Sequence, residues 1–407
     1  MNTSAETASK KDYSPFLQKT VYPVLFSIAF AHLINDLLQS VIPAAYPILK
    51  ENFNLTFTQI GLITLAYQLS ASILQPLVGL YTDKKPKPFS QIFGMLFTLS
   101  GIVLLSYAAS FSIIIISVIL VGIGSSIFHP EASRISFLAS GGKRGLAQSI
   151  FQLGGNAGSA IGPLLVALIV APNTQHYIIW FVIVAIIGLI VLSRIALWYQ
   201  NHLSLRATEK AVIDLPNLSQ IKINISVGIL LVLIFSKFFY MASMSSYFTF
   251  YLIEKFGLSV QEAQFHLVLF LASCAIGTLI GGPLGDKFGR KYVIWFSVLG
   301  AAPFTLLLPY ADLFWTGILS VAIGTIISSA FPAILVFAQE LLPKKLGTVS
   351  GLFYGFAFGM GGLGSALLGN IADHKGIIYV YYLCAYLPLI GIIAFFLPNL
   401  KKKSANS

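Results

Sequence analysis

Seven titratable side chains lie inside long apolar stretches of this 407-residue chain. They are His32, Asp36, His129, Glu131, Arg134, Lys237 and Glu340. If those stretches cross a membrane, each charge costs at least about 2.5–3.5 kcal/mol, so such residues usually mark a substrate site or a proton relay. A buried carboxylate or imidazole can take up and release a proton, and a buried cation can neutralise an anionic ligand.

The spacing of these residues suggests which of them act together. His32 and Asp36 are four residues apart and would share one helix face, and Glu131 and Arg134, three apart, can pair. Asp36 is the leading candidate for a proton carrier, Glu131 is its rival, and His32 and His129 are further candidates. The structural alternatives are a hydrogen-bonded Asp36, a Glu131 that Arg134 neutralises, and a His129 that only satisfies a carbonyl group.

Lys237, Arg134, Asn35 and Gln39 are the candidates for binding substrate. Lys237 has no partner in its own predicted helix, so a substrate anion or an acid across a cavity must offset its charge. Arg134 could instead be a membrane-flanking cation, and Glu340, next to a Leu-Leu-Pro sequence, is expected at the membrane interface.

A transition-metal site is a further interpretation of the same residue types. His32, Asp36, His129 and Glu131 would suit a divalent ion, but Lys237 in the same cavity would oppose it. We therefore expect no metal and no cofactor.

The elements that carry these residues follow from composition. The chain is 57% apolar and 10% charged, against about 25% charged in soluble domains. Gaps between charged residues divide it into twelve spans of roughly the 20 residues that cross a bilayer. They fall at 20–46, 52–82, two within 88–128, two within 145–193, 223–253, 263–285, 292–311, 313–339, 346–372 and 376–400. Lipid requires backbone groups to be satisfied within each segment, so the prediction is an all-α integral membrane protein.

The cations are distributed unevenly between the two membrane faces. With both termini on one side, that side holds 21 of the 25 Lys and Arg, while Lys50, Lys255 and Lys375 lie near the other face. Lys and Arg are retained in the cytoplasm during insertion, so both termini are predicted to be cytoplasmic. This asymmetry accounts for the net charge of +11, and we expect no nucleic-acid partner.

The two halves of the chain resemble each other. Asp83 and Asp286 are 203 residues apart, and Ser125-Ser126-Ile127-Phe128 precedes Ser328-Ser329-Ala330-Phe331 by the same offset. The predicted organisation is a tail (1–19), a six-helix bundle (20–198), a linker (199–222), a second six-helix bundle (223–398) and a tail (399–407). Two parallel repeats with a site between them near mid-membrane are typical of a secondary transporter that works by alternating access.

The connections after the second and eighth spans carry one pattern. Residues 282–291 read Gly-Pro-Leu-Gly-Asp-Lys-Phe-Gly-Arg-Lys, while the first copy keeps Gly79 and Asp83 but has Pro86 where a Gly would be. This pattern resembles the signature loop of the major facilitator superfamily. His32-Leu33-Ile34-Asn35-Asp36, Phe128-His129-Pro130-Glu131 and Gly145-Leu146-Ala147-Gln148-Ser149 resemble, more specifically, the fosmidomycin-resistance family of exporters.

The resemblance carries implications for fold and function. It implies the superfamily fold, with helices 1, 4, 7 and 10 lining a central cavity, in the plasma (inner) membrane of a bacterium. It implies a proton-coupled antiporter that exports a small anionic drug such as the phosphonate antibiotic fosmidomycin. The expected partners are this small-molecule anion, protons and the lipid bilayer, and we expect a monomer.

Two groups of small or charged residues are predicted to serve the conformational change. Gly79, Asp83, Gly282, Asp286 and Arg290 would form latches, in which each Asp accepts N–H groups at the start of a neighbouring helix. Gly158, Gly162 and Pro163 resemble an antiporter motif, with close packing at the glycines and a bend at the proline. The alternatives are solvated loop charges and an ordinary packing face.

Other functions remain open at this stage. A transporter of another class would import an organic anion or a sugar, or export lipophilic cations, and a metal exporter would use the histidines and carboxylates. A membrane enzyme is not expected, because the sequence has no Gly-x-Ser-x-Gly, His-Glu-x-x-His or phosphate-loop motif.

Overall fold

A computed structural model of the chain describes residues 19–208 and 216–400, except 56, 171, 217 and 259. Most of both predicted tails, and positions 209–215 of the predicted linker, therefore lie outside the described residues. The part that is described is helical and contains no strand.

Within the described residues, a helix or a pair of consecutive helices lies at each of the predicted spans. The first half contains α1 (Tyr22–Ala44), α2 (Phe57–Lys84), α3 (Ser90–Ser106), α4 (Phe111–Ala139), α5 (Arg144–Leu165) and α6 (Phe181–Thr208). The second half contains α7 (Gln220–Phe256), α8 (Val260–Phe288), α9 (Arg290–Leu299, resuming at Ala302–Leu307), α10 (Leu313–Ser328, resuming at Ala330–Leu341), α11 (Leu346–Lys375) and α12 (Ile377–Cys384, followed by a 3-10 helix at Leu387–Phe396). A short helix at Tyr46–Phe53 joins α1 to α2.

Ten of the described helices are long and apolar enough to cross a membrane. The apolar helix α3 is shorter, and α5 is not among the ten. Large apolar side chains cover the outside of the bundle, among them Phe26 (60% exposed) and Phe395 (69% exposed). Since water does not favour such a surface, its natural solvent is lipid.

Several helices extend beyond the charge-free spans. Helix α6 continues to Thr208, ten residues into the stretch predicted as linker, and α7 begins at Gln220 with the Ser219 hydroxyl accepting from the N–H of Lys222. Polar residues mark where the chain leaves lipid, but they do not stop a helix. Past Pro163, α5 changes into a π-helix over Val166–Val170.

The two halves meet at one end of the molecule, where glycines allow backbones to touch. A Cβ atom added to Gly79 of α2 would lie 2.0 Å from the carbonyl oxygen of Gly347 at the start of α11. At the related contact, a Cβ on Gly145 of α5 would lie 2.1 Å from the oxygen of Gly282 in α8. The end of the bundle that carries the two signature loops is therefore closed.

Candidate functional site

Asp36 on α1 lies between two imidazole rings. Its Oδ2 atom is 3.3 Å from Nε2 of His32, one turn earlier on the same helix, and its Oδ1 atom is 3.5 Å from Nε2 of His129 on α4. The two histidine side chains are 3% and 0% exposed, while that of Asp36 is 16% exposed. The prediction that the two α1 residues share a helix face is confirmed, and α4 supplies the third member of what we call the His–Asp cluster (His32, Asp36, His129).

The tautomer of each histidine follows from its second ring nitrogen. Nδ1 of His32 lies 2.7 Å from the carbonyl oxygen of Phe151, and Nδ1 of His129 lies 3.0 Å from that of Ser125. A carbonyl oxygen only accepts hydrogen bonds, so both Nδ1 atoms carry the hydrogen. When the rings are neutral, both Nε2 atoms therefore present a lone pair.

In that state the two Nε2 lone pairs and the Asp36 carboxylate all accept hydrogen bonds, and no hydrogen lies between them to be shared. Among the described residues, His129 Nε2 is buried without a hydrogen-bond donor, and burying such a group unpaired is costly. A positive charge placed among the three residues removes this cost. The charge can be a proton on one of them, or a metal ion, because the three ligand atoms all lie within 4.8 Å of one another.

Two amides predicted to bind substrate hold the carboxylate of Asp36 instead. Asn35 Nδ2 donates to Oδ1 at 3.0 Å and Gln39 Nε2 at 3.5 Å. The Gln39 amide is itself oriented, because the hydroxyls of Tyr67 and Ser125 both donate to its Oε1 atom. The amides therefore fix the carboxylate toward the two imidazoles.

Lys237 lies in the other half of the molecule, about midway along α7. It is 5% exposed, and its Nζ atom is 5.2 Å from the ring centre of Phe238 and 5.3 Å from that of Phe331 on α10. Within the part of the chain that is described, no hydrogen bond or ion pair to its ammonium is found. Two aromatic faces attract a cation only weakly compared with an anion, so this site is short of negative charge.

A row of rings joins Lys237 to the His–Asp cluster. The ring of Phe331 is 5.2 Å from that of Tyr354 on α11, and Tyr354 is 5.3 Å from the imidazole of His129. Tyr354 is not among the residues that the sequence singled out. An aromatic residue in an apolar span gives no signal that distinguishes it from an ordinary core residue.

The first signature loop makes the contact predicted for a latch. The carboxylate of Asp83 accepts from the N–H groups of Gly347 (2.9 Å) and Thr348 (2.7 Å), at the start of α11. Arg134 on α4 pairs with Asp83, and also with Glu131 at 2.9 Å. The predicted pairing of Glu131 with Arg134 is thus confirmed, and both lie in the first latch, not beside Lys237 or the His–Asp cluster.

The second signature loop makes the matching contact. Asp286 accepts from the N–H groups of Gly145 (3.1 Å) and Leu146 (3.0 Å) at the start of α5. Arg290 bridges Asp286 (2.9 Å) and Glu340 (3.1 Å). Arg144 also reaches Glu340 (2.8 Å) from the other half.

The two latches differ in the origin of their cation. Arg290 comes from the loop itself, whereas the residue 203 positions earlier is Lys87, which is exposed. In the first latch, Arg134 takes this place from α4 and donates to Asp83. The degraded first copy of the pattern therefore retains an arginine–aspartate pair through a residue that the sequence analysis had assigned to substrate.

A buried network of uncharged side chains connects the halves between the latches and the His–Asp cluster. Gln339 on α10 donates to Ser133 on α4 (3.0 Å) and to Ser350 on α11 (2.9 Å). Gln148 on α5 donates to the Tyr354 hydroxyl at 2.6 Å. These bonds give the closed end a polar, specific interface, which could not be predicted because single Ser and Gln residues in apolar spans give no signal in the sequence.

The antiporter-like motif packs α5 against α1. A Cβ on Gly158 would lie 2.1 Å from the carbonyl oxygen of Leu33, and one on Gly162 would lie 1.9 Å from Oγ of Ser40. Pro163 follows in the same helix. These glycines bring α5 close to the helix that carries Asp36.

Comparison with known proteins agrees with this architecture. The Major Facilitator Superfamily model matches residues 28–259 and 229–407, which together cover both halves. The chain belongs to the Major Facilitator Superfamily. Members of this superfamily are transporters, and we conclude that the protein is a multi-span membrane transporter and not an enzyme.

Individual superfamily members are also similar. The chain is 58% identical over 386 residues to the fosmidomycin resistance protein of Escherichia coli (strain K12), covering 95% of each chain. It is 43% identical over 388 residues to YfnC, an uncharacterised MFS-type transporter of Bacillus subtilis (strain 168), covering 94% of each. The solved structure of FucP in the outward conformation shares the fold, with a TM-score of 0.73 at 18% identity, over 93% of this chain and 98% of that one.

Proposed function

We propose that this transporter is a proton-coupled antiporter that exports a small anionic drug, such as the phosphonate antibiotic fosmidomycin, by alternating access. The observation that carries the proposal is a pair of buried sites of opposite character in opposite halves. One is the His–Asp cluster, which needs a positive charge. The other is Lys237, which lacks an anion. The name of the 58%-identical relative supports the choice of drug.

Asp36 is the proposed proton carrier, with His32 and His129 sharing the proton. Bulk water is replaced here by buried groups, so Coulomb forces are stronger than in solution. An anion that binds Lys237 and a proton that enters the His–Asp cluster each change the field felt by the other. Antiport follows if the loaded states of the two sites favour opposite access states.

The orientation proposed for the membrane follows the positive-inside rule. Both termini and the latches then face the cytoplasm of a bacterium, and the closed end described above is the cytoplasmic end. In this orientation we propose that a proton reaches Asp36, whose side chain is 16% exposed, from outside, because the cytoplasmic end is closed. We propose that a single chain suffices, because both sites lie within it.

Transport into proteoliposomes under an imposed pH gradient tests the proposal. We expect fosmidomycin to move against its gradient, and sugars and lipophilic cations not to move. Asp36→Asn should abolish uphill movement, and Lys237→Ala should weaken phosphonate binding by at least about tenfold, since a charge-assisted contact is worth about 1.5–3 kcal/mol.

Two exposed residues provide matched controls. Glu51→Gln and Lys375→Ala remove charges of the same sign from the surface, and both should transport as wild type does. Uphill transport that persists in Asp36→Asn would move the proton site elsewhere. Equal phosphonate affinity with and without Lys237 would remove that residue from the substrate site.

A further inference from the structure

We propose that the His–Asp cluster is also a binding site for one divalent first-row transition-metal ion, such as Co²⁺ or Zn²⁺. Two imidazole nitrogens and one carboxylate oxygen are a ligand set that these ions favour. The inference goes beyond the transport of an anionic drug, and it depends on the geometry of three side chains alone.

The separations of the donor atoms suit such an ion. At metal–nitrogen and metal–oxygen distances of about 2.0–2.2 Å, two ligand atoms of a tetrahedral site lie about 3.3–3.5 Å apart. Nε2 of His32 is 3.3 Å from Oδ2 of Asp36, and Nε2 of His129 is 3.5 Å from the other carboxylate oxygen, Oδ1, so either oxygen can serve as the carboxylate ligand after a small rotation. All three ligand atoms lie within 4.8 Å of one another. Small side-chain rotations bring them around one ion, with a fourth position left for water.

Each ligand already has the outer contact that metal sites require. Metal-binding histidines usually donate their other N–H group to a carbonyl or carboxylate, which fixes the tautomer and aims the lone pair. Phe151 and Ser125 provide those carbonyl groups here. The carboxylate of Asp36 is held by the Asn35 and Gln39 amides. The unpartnered, fully buried Nε2 atom of His129 is aimed into the site.

The local charges also favour an added cation. With neutral imidazoles the cluster carries the single negative charge of Asp36. Arg134 is paired with Asp83 and Glu131 in the first latch. Lys237 lies in the second half of the molecule, where it packs against the rings of Phe238 and Phe331. The objection that Lys237 would repel a metal therefore weakens, while Glu131 drops out of the ligand set.

A bound metal would interfere with transport. This consequence rests on the proposed function, because the metal would occupy the atoms that exchange the proton. Zn²⁺ should therefore inhibit transport from the side to which Asp36 is exposed.

Absorption spectroscopy of Co²⁺ with the full-length protein in detergent tests the proposal without any transport. An affinity tag must be removed first, since polyhistidine binds the same ions. We expect the d–d bands of a site with nitrogen ligands, at one Co²⁺ per chain, and loss of these bands when Zn²⁺ is added. Outer contacts alone are worth about 10–100-fold in metal affinity, so we expect His32→Gln and His129→Gln each to weaken Co²⁺ binding at least about 100-fold.

His176→Gln is the matched control. His176 also directs Nδ1 at a carbonyl oxygen, that of Ser106 (2.9 Å), but lies outside the cluster. Its removal should leave the bands unchanged. Three results would overturn the proposal: the wild type binds no Co²⁺, both cluster variants still bind it, or His176→Gln abolishes binding. Thermal unfolding of each variant without metal identifies any that fails to fold, and a Zn²⁺-dependent rise in the wild-type Tm provides a second measurement.

The experiments distinguish failure of the metal site from failure of the proposed transport function. Metal binding with no phosphonate transport would remove the proposed function and leave the metal site. If the wild type transports phosphonate but binds no metal and is not inhibited by Zn²⁺, the metal site is ruled out and the proposed function stands.

Discussion

Adding one methyl group at Gly79 should open the closed end of this transporter. The Cβ atom of Gly79→Ala would lie 2.0 Å from the carbonyl oxygen of Gly347. Non-bonded carbon contacts are comfortable at about 3.5 Å, so α2 and α11 must separate by about 1.5 Å. Both contacting atoms nearest the new methyl group are backbone, so no side chain can rotate away.

The magnitude follows from what this separation breaks. Asp83 accepts from Gly347 at 2.9 Å and from Thr348 at 2.7 Å, and neither bond survives an added 1.5 Å. A hydrogen bond to a charged group contributes about 1.5–3 kcal/mol, so the closed end loses about 3–6 kcal/mol. Each 1.4 kcal/mol is a factor of ten, which gives a shift of roughly 100-fold or more toward the alternative access state.

Distances between spin labels at the latch end measure this shift. Lys85→Cys and Lys344→Cys place labels on exposed residues on either side of the first latch. The two native cysteines are replaced (Cys274→Ser and Cys384→Ser), so that only the introduced cysteines are labelled. The distance distribution should move to longer values in Gly79→Ala. Asp83→Asn, which keeps the glycine, should shift it in the same direction.

Gly361→Ala is the control for Gly79→Ala. It adds the same methyl group to α11, where no described atom outside the local backbone of that helix lies within 4 Å of the added Cβ, and it should leave the distances unchanged. If Gly79→Ala and wild type give one distribution, the backbone contact does not hold this end closed. The backbone contact is also ruled out as the cause if Gly361→Ala lengthens the label distance as much as Gly79→Ala does.

Two further predictions follow from the interface and from the cation distribution. Tyr354→Phe keeps the ring between His129 and Phe331 but removes the hydroxyl that binds Gln148 and Gln152. We expect phosphonate exchange without a gradient to persist, while uphill transport falls at least about tenfold. Equal losses in both assays would contradict a role of Tyr354 in coupling. A cysteine at Thr208, without Cys274 and Cys384, should not react with an impermeant thiol reagent added to intact cells, and labelling from outside would reverse the proposed orientation.

The fold could be predicted largely from the gaps between charged residues. A charge inside lipid is expensive whatever its neighbours are, so the spans could be counted without any tertiary information. The helix ends could not be placed in this way. Residues 199–208 are polar enough to lie outside lipid, yet they continue α6, because helix formation and membrane burial depend on different properties of the side chains.

Apart from the latches, contacts between the candidate residues were predicted only where the partners are close in sequence. His32 with Asp36, and Glu131 with Arg134, follow from helical spacing. The assignment of Arg134 to substrate depends on which helix α4 faces, and in the structure it faces α2 and Asp83. Likewise Asn35 and Gln39 share the face of Asp36, but the sequence does not reveal that their amide groups turn toward its carboxylate.

The location of the two charged sites limits how transport can be coupled. All three members of the His–Asp cluster belong to the first half, whereas Lys237 belongs to the second. If these are the proton and substrate sites as proposed, neither half can link the two alone, and the link must cross the interface that alternating access would open and close. Tyr354 lies at that crossing, since its ring contacts His129 on one side and Phe331, the neighbour of Lys237, on the other. A rearrangement that separates the two halves would break the bonds of Tyr354 to Gln148 and Gln152 on α5 together with its ring contact to His129 on α4. In the proposed mechanism, the two sites are therefore coupled while the latch end is closed, and opening of that end interrupts the coupling, as an exchange of one ligand for the other requires.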